Sequence, residues 1–367
     1  MKKTTIELYM RLIIIFICLC CFSCKNKSTL ENVVQDETQE KKVRLWNDAI
    51  GYTKYDWQLD SIYSRLGIKD SKNNMKWKAA ICPHDAYKYS GRLYYESLKG
   101  INANTIILVG VAHFARNFDL QDKIIFGDFT HWESPYGDLK VSDLNSEIIE
   151  QLPQSSYIIH NEIYKTEHSI EGIVPFLHRK NKNLEIIPIL VPYINYETIE
   201  GVSNNLSNVV SKILKEKNLE YGKDVAIVIS NDAVHYGNEG FSSDLAPFGV
   251  DDKGIKKARA LDMEIIEKCL VDEIGNEKVK KFTEYTVQNN DYKEYKWVWC
   301  GRYSVPFGVS FANKLNQALN NKPLSGTFLE YETSIDHDLI KVEDLGVETK
   351  TIANQNHWVA YTSIKFE

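Results

Sequence analysis

Three apolar segments of this chain, each typical of a buried β-strand, are each followed within a few residues by a histidine. They are Lys78–Cys82, followed by His84, Thr105–Val111, followed by His113, and Asp224–Ser230, followed by His235. In an open α/β sheet, ligands bind in the crevice beyond the carboxyl ends of the strands. We therefore expect the three histidines to converge at one edge of a sheet, although they lie far apart along the chain.

Strand-like and helical patterns alternate along most of the chain, which is the signature of an α/β fold. Leu184–Val191 is a fourth predicted strand. The predicted helices are Asp56–Leu66, Ser142–Gln151, Ser169–Arg179, Ile199–Glu216, Asp252–Leu270 and Tyr303–Leu319. Leu324–Thr333 and Trp358–Phe366 are strand-like with no helix between them, which favours antiparallel additions. The sequence thus predicts a mixed, mostly parallel sheet flanked by helices.

The N-terminal residues predict where the protein resides. Three basic residues precede the apolar run 12–22, which is too short for a membrane span of about 20 residues. Ser23 and Cys24 follow, and the whole resembles a bacterial lipoprotein signal. We expect residues 1–23 to be a signal peptide and Cys24 to carry a lipid that holds the protein at a membrane. The body would face outside the cytoplasm, in the bacterial cell envelope. The alternative is an uncleaved N-terminal anchor.

The rest of the chain divides into a tether and one folded domain. Residues 24–45 are polar and poor in aromatic side chains, so we expect a disordered tether there. Residues 46–367 are acceptable in length for one α/β domain. The formal net charge is −6 at pH 7, and the charges are interspersed without a long basic tract. Nucleic acid is therefore not an expected partner.

Cysteine usage argues against a disulfide framework. Of seven cysteines, only Cys82, Cys269 and Cys300 lie beyond the leader, whereas disulfide-rich secreted domains carry more, and an even number. A single bridge between Cys82 and Cys300 is one interpretation. A metal-bound thiolate at Cys300 is the competing one.

Two of the histidines that follow strands have neighbours that suit a metal site. Imidazole is the commonest biological metal ligand, and Asp85 is a candidate acceptor for the second ring nitrogen of His84. Arg116, three residues after His113, is a candidate to attract an anionic substrate. Taken alone, each histidine also fits a purely structural role.

The third strand end and a later cysteine suit acid–base and thiolate chemistry. Asp232 is a candidate to orient His235, and a neutral His235 would suit a general base. Cys300 precedes a predicted helix and Arg302, and both features predict a lowered thiol pKa. The alternatives are a helix cap at Asp232 with a surface histidine, and a small buried hydrophobic residue at Cys300.

Two further segments are candidates for the wall of the same cleft. Glu167 and His168 stand at the start of a predicted helix, where Ser169 could equally be only a cap. Trp132 lies in an aromatic loop that is typical of a pocket wall. The remaining histidines lack such context and are interpreted as structural or surface residues: His160, His178, His337 and His357.

Six segments of the chain together resemble, in order, the pattern of the Memo family, also called AmmeMemoRadiSam system protein B. They are Pro83–Gly91, Gly110–His113, Trp132–Gly137, Glu167–Glu171, Ser230–Tyr236 and Cys300–Arg302. That family is similar to class III extradiol dioxygenases, which use non-haem iron(II). The resemblance implies a three-layer fold and an iron centre, with copper or zinc as alternatives. It also implies a cleft that takes a small-molecule or peptide ligand.

The resemblance assigns roles residue by residue. It implies that His84, His113 and Cys300 are the metal ligands. Asp232 and His235 would line the same pocket, with His235 at the acid–base position.

The chain departs from the Memo pattern at one place, and the Memo family departs from the dioxygenase pattern at another. Asp85 and Ala86 stand where the family usually has Ala-Gly, and a cysteine stands where the dioxygenases have a carboxylate. A thiolate also suits copper(I) or zinc, and a fold does not carry its reaction with it. Three functions therefore stay open: an iron-dependent oxidoreductase, a lipid-anchored metal-binding or ligand-binding protein without turnover, and a metal-free interaction protein.

Overall fold

A sheet with helices on both faces organises the protein, as a computed structural model shows for residues 40–69, 74–240, 245–336 and 338–367. The strands are β1 (Val43–Arg44), β2 (Ala79–Cys82), β3 (Thr105–Val111), β4 (Ile124–Phe126), β5 (His131–Trp132), β6 (Leu139–Val141), β7 (Tyr157–Ile159), β8 (Glu185–Val191), β9 (Val225–Ser230), β10 (His235–Gly237), β11 (Asp272–Glu273), β12 (Ser325–Thr333) and β13 (His357–Phe366). The helices are α1 (Asp56–Arg65), α2 (Tyr87–Leu98), α3 (Leu144–Gln151), α4 (Asn161–Thr166), α5 (Ile173–Lys180), α6 (Tyr196–Glu216), α7 (Asp252–Cys269), α8 (Asn276–Thr286) and α9 (Ser304–Asn320).

The sheet has a parallel centre with antiparallel strands added on one side. Its main path runs β1-β5-β6-β8-β3-β9-β2-β13-β12-β11. Strands β6, β8, β3, β9 and β2 are parallel neighbours, whereas β13, β12 and β11 are added antiparallel. The mixed, mostly parallel sheet predicted from the sequence is thereby confirmed.

Alternate residues of the central strands pack on opposite faces of the sheet. In β3, Ile107 and Val109 join the core formed with α6 and α9, whereas Ile106 and Leu108 join the core formed with α1, α2 and α5. Successive side chains of a strand point to opposite faces, so a strand buried on both sides has to be continuously apolar. The result is the three-layer arrangement that the family resemblance implies.

The folded part of the chain begins earlier than the sequence predicts. Strand β1 pairs with β5, and the buried Arg44 forms an ion pair with Glu171 and donates to the carbonyls of Tyr164 and Glu167. A buried guanidinium needs such partners, and they fix residues 43–45, which were expected to be tether. Residues 41–367 form one compact unit.

Several predictions about the N-terminal segment concern residues that the structure does not describe. The predicted signal peptide, Cys24 and residues 25–39 of the tether lie outside the described residues. No helix in the described ranges is both long and apolar enough to cross a membrane.

One local prediction is wrong, and one of the two interpretations of the cysteines is excluded. Helix α5 begins at Ile173 rather than Ser169, which places Pro175 in its first turn, where the missing N–H is tolerated. Residues 167–172 are therefore free to form a loop. Cys82, Cys269 and Cys300 are all free thiols, so the bridge between Cys82 and Cys300 is not formed.

Candidate metal centre

The carboxyl ends of β2, β3 and β9 meet at one edge of the sheet. The register pairs Cys82 with Ser230 across β2 and β9, and β3 is the other neighbour of β9. His84 and His113 follow β2 and β3 at this edge, His235 begins β10 five residues after β9, and all three line one cavity. The cavity therefore lies where the strand pattern predicts it.

Three imidazoles form a candidate metal site at the end of this cavity. His84, His113 and His168 each offer a ring nitrogen, and these atoms lie within 4.8 Å of one another. The rings of His113 and His168 are stacked with centroids 4.5 Å apart, and the ring of His84 meets that of His113 edge-on at 5.1 Å. Imidazole nitrogens suit zinc, copper, iron and nickel.

The ring of His84 is held by a hydroxyl chain. Ser230 Oγ donates to the carbonyl of Ser169 at 2.6 Å and lies 2.8 Å from Nδ1 of His84. Because the hydroxyl proton is used on the carbonyl, Ser230 Oγ accepts the proton of Nδ1, which assigns the tautomer. The Nε2 lone pair of His84 is left available for a metal.

A buried carboxylate holds His113 and the loop that carries His168. Glu167 Oε1 lies 2.9 Å from Nδ1 of His113, and Oε2 accepts the backbone N–H of His113 at 2.7 Å. Oε1 also accepts the backbone N–H groups of His168 and Ser169, both at 2.9 Å. A carboxylate behind an imidazole is the usual second partner of a metal-bound histidine, since it fixes the tautomer and makes the ring more basic.

One nitrogen of His168 shows that these residues fit a metal. Its Nδ1 is buried and has no hydrogen-bond partner within the described structure. Glu167 Oε1 is 3.6 Å away, which is beyond hydrogen-bond length. Leaving a buried nitrogen unsatisfied costs about 1–3 kcal/mol, and a cation coordinated by this nitrogen would remove the cost.

Burial keeps His84 and His168 in the neutral form that binds metals. Desolvation lowers the pKa of His84 well below its usual range and lowers the pKa of His168 to about 4. Burial alone would raise the pKa of Glu167, but its contacts with His113 and with the Ser169 N–H lower it to about 2. At neutral pH the lone pairs of His84 and His168 are thus available beside an ionised Glu167.

Two further carboxyls border the cluster. Asp232 Oδ1 accepts the backbone N–H of His84 at 2.9 Å, and Oδ2 lies 3.5 Å from Nε2 of the same residue. Asp85 does not accept from the ring of His84, as the sequence suggested, because Ser230 takes that place; it accepts instead from the hydroxyl of Tyr361 at 2.6 Å. Burial raises the pKa of both carboxyls, and each side chain lines the cavity.

Cys300 faces His235 rather than the three-histidine cluster. Its Sγ lies 3.0 Å from Nε2 of His235, and both residues line the cavity. The prediction of a lowered thiol pKa is wrong: burial and Asp232 raise the pKa of Cys300 well above its usual range, although Arg302 acts in the opposite direction. Burial also lowers the pKa of His235 to about 3. The pair is thus a neutral thiol beside a neutral imidazole, and the ligand role of Cys300 stays a prediction.

Comparison with known proteins agrees with this arrangement of motifs. A family model described as Memo-like protein matches residues 52–349. The chain belongs to this family. A MEMO1 family protein of Aquifex aeolicus is 31% identical over 188 residues, which cover 50% of this chain and 64% of that protein. One from Methanosarcina barkeri is 32% identical over 161 residues, covering 43% and 54%. One from Pyrococcus horikoshii is 24% identical over 286 residues, covering 76% and 87%. The alignment with each of the first two thus spans less than two thirds of that relative's length.

Two residues expected in the pocket of this Memo-family chain lie elsewhere. Arg116 is exposed, pairs with Glu294 at 3.2 Å and lies over the ring of Tyr193. Trp132 is buried in strand β5, where the guanidinium of Arg44 covers its ring at 4.9 Å. Neither residue lines the cavity, because the side chain of each is engaged by the partners named above.

Other residues have positions in or beside the Memo-family cavity that the sequence patterns did not predict. His168 was expected only in the pocket wall, yet it completes the cluster. His357, interpreted as structural or surface, also lines the cavity, at the start of β13. Glu167 lies behind the wall, in contact with His113. The partly apolar cavity has a volume of about 390 Å³, which is in the range of small-molecule sites.

Proposed function

We propose that this Memo-family protein is a metal-dependent oxidoreductase with a non-haem iron centre held by His84, His113 and His168. The observation that carries the proposal is the cluster itself: three imidazoles whose ring nitrogens lie within 4.8 Å of one another at the wall of a cavity. Three protein ligands leave coordination positions open for substrate, as catalytic metal sites require.

Each residue around the cluster would have a separate role in the reaction. Iron(II) would supply redox chemistry with dioxygen, which the family's similarity to extradiol dioxygenases favours. Asp232 would orient His84 through its backbone and remain within 3.5 Å of its ring. His235 lines the same cavity and would accept a proton from a hydroxyl group of the substrate, with the negative charge that develops on the substrate offsetting the burial that lowers the pKa of this imidazole to about 3.

Cys300 remains a proposed alternative for the third ligand. Its thiol lines the same cavity, 3.0 Å from Nε2 of His235, and would release its proton on metal binding. Measuring iron affinity in His168→Ala and in Cys300→Ala separates the two assignments. The variant that loses its affinity identifies the ligand.

A second candidate is a metal-binding protein without turnover. The observation that favours it is the thiol of Cys300 in the same cavity as three imidazoles, because soft sulfur ligands favour copper(I) and zinc. This function predicts tight binding of copper(I) or zinc that falls sharply in Cys300→Ala, together with no oxygen uptake. Unchanged affinity in that variant would remove the role of Cys300.

Two measurements test the oxidoreductase proposal. Protein purified without chelators is analysed for its metals, and the iron-loaded protein is then tested in an oxygen electrode with a panel of phenolic substrates. The proposal predicts bound iron and substrate-dependent oxygen uptake, with both lost in His84→Ala and kept in His131→Gln. Stoichiometric metal without oxygen uptake across the panel would contradict it.

We also propose that the protein works at the bacterial cell envelope, held by a lipid on Cys24. The support is the basic and apolar leader that ends at Ser23. Cells fed with labelled palmitate should label the wild type and not Cys24→Ala, and the variant should leave the membrane fraction. Equal labelling of both proteins would refute the anchor.

A further inference from the structure

Arg302 has a buried guanidinium whose donors are not fully used. The residue is 8% exposed and lines the same cavity as the three histidines. One Nη1–H reaches the carbonyl of Trp299 at 3.3 Å, and the side chain also contacts the hydroxyl of Tyr303. Its Nε is buried with no hydrogen-bond partner in the described part of the chain. A guanidinium offers five N–H donors, so acceptors are missing.

No carboxylate of the described residues forms an ion pair with Arg302. Its guanidinium lies instead beside two aromatic rings, at 3.8 Å from the centroid of Tyr295 and 4.8 Å from that of Tyr303. The rings stabilise the guanidinium through cation–π contacts but supply no negative charge and no acceptor for its Nε–H. Arg116, by contrast, is exposed and has Glu294 as a partner.

The acidic groups of the cavity are engaged elsewhere. Asp85 accepts from Tyr361 and from the backbone N–H of Ala86, and Asp232 accepts from the backbone N–H of His84. Neither carboxyl lies within ion-pair distance of Arg302. A buried charge normally has a partner of opposite sign, and here the partner has to come from the ligand.

We propose that Arg302 anchors the carboxylate of a small, flat, largely apolar ligand in this cavity. The planar fork of the guanidinium matches a carboxylate with two parallel hydrogen bonds. The single positive charge of the guanidinium balances the single negative charge of a carboxylate. A phosphate dianion would leave one buried negative charge without a partner. Apolar side chains of the wall, such as Val298, Trp358 and Val359, would cover the body of the ligand.

This inference deepens the proposed function, since it names the substrate class of the same cavity, but it does not depend on a metal. Metal-free protein labelled with ¹⁵N is titrated with benzoate, and in parallel with benzamide and phenyl phosphate. The arginine Nε–H resonance of Arg302 is assigned from its absence in Arg302→Lys. We expect benzoate to shift this resonance saturably, whereas benzamide leaves it unchanged and phenyl phosphate binds more weakly.

Variants give the second readout. Benzoate affinity, measured by calorimetry, should fall about 10- to 100-fold in Arg302→Gln, as expected for a lost charge-assisted pair. Arg302→Lys keeps the charge and should retain part of the affinity, which guards against a folding defect in Arg302→Gln. Arg116→Gln is the matched control and should bind benzoate like the wild type.

Three results would overturn the proposal: an unmoved Nε–H resonance at the highest benzoate concentration, equal binding of benzoate and benzamide, or full affinity in Arg302→Gln. Tighter binding of phenyl phosphate than of benzoate would show that Arg302 recognises a phosphate group rather than a carboxylate. Benzoate binding through Arg302 in a protein that shows no oxygen uptake would leave this inference standing while the oxidoreductase proposal fails. Oxygen uptake with neutral substrates but not with carboxylates would support the oxidoreductase proposal and contradict this inference.

Discussion

Glu167 Oε1 lies 2.9 Å from Nδ1 of His113, and the same carboxylate accepts the backbone N–H of that residue. One buried side chain therefore fixes both the ring and the main chain of a candidate metal ligand. It also accepts the N–H of His168, so two of the three imidazoles depend on it.

Glu167→Gln should weaken metal binding by about 10- to 100-fold, as is typical when the partner behind a metal-bound histidine is changed. The amide no longer offers two acceptor oxygens to the N–H groups of His113 and His168. Zinc and iron(II) affinities are measured by competition with a chelator. Glu162→Gln, which changes an exposed carboxylate paired with Lys165, is the control. Equal affinities in both variants would contradict the role of Glu167.

Ser230→Ala should also lower metal affinity, because the Nδ1 proton of His84 loses its acceptor and the ring its fixed tautomer. The control is Ser97→Ala, which removes a buried hydroxyl that contacts Ser363. Both variants should lose a similar amount of stability in urea unfolding, about 1–3 kcal/mol. Only Ser230→Ala should lose metal affinity, and an equal loss in Ser97→Ala would show that the effect is merely structural.

Asp262 makes the stability of the fold depend on pH. Burial raises its pKa from 3.8 to about 6, despite hydrogen bonds from Trp297, Trp299 and Tyr331. The folded state therefore keeps this proton where the unfolded state has lost it. The stability contribution is fully present below about pH 4 and falls as pH rises to about 6.

Asp262→Asn removes this titration while keeping an acceptor for both indoles. The difference in unfolding free energy, wild type minus variant, should decrease between pH 4 and pH 6 by up to about 3 kcal/mol. Urea unfolding at several pH values measures it. A difference that stays constant over this range would show that folding does not raise the pKa of Asp262.

Arg44→Met should destabilise the protein strongly, because it leaves Glu171 charged and buried. Breaking a buried ion pair from one side costs about 3–5 kcal/mol. Lys42→Met is the control: Lys42 forms an exposed pair with Asp128, for which less than about 1 kcal/mol is expected. Similar urea midpoints for the two variants would contradict the role of β1 in the fold.

The sheet and part of the site were predictable from local sequence patterns. The strand Thr105–Val111 was predicted at its exact bounds, because a continuous apolar run rich in β-branched residues is compatible with little else at the centre of a sheet. The positions of His84 and His113 at the site could be predicted from such strands, because a residue just beyond the end of a parallel strand lies at the edge of the sheet.

The place of His168 in the cluster was not predictable in this way. Its loop is held over β3 by contacts between distant residues, such as the Ser169 hydroxyl donating to the carbonyl of Val111 at 2.7 Å. The thiol pKa of Cys300 was predicted in the wrong direction because burial, which raises it, outweighs the effect of Arg302, which lowers it. Arg44 stands in a polar segment, and only its distant partner Glu171 explains its burial. No local pattern encodes these long-range contacts.

The metal content of the purified protein tests the central claim most directly. Protein prepared without chelators is analysed by mass spectrometry of its elements, beside His84→Ala, His168→Ala and the control His131→Gln. The three-histidine site predicts about one transition-metal ion per chain in the wild type and the control, and little in the two other variants. A metal-free wild type, or a metal content that His84→Ala and His168→Ala leave unchanged, would contradict it.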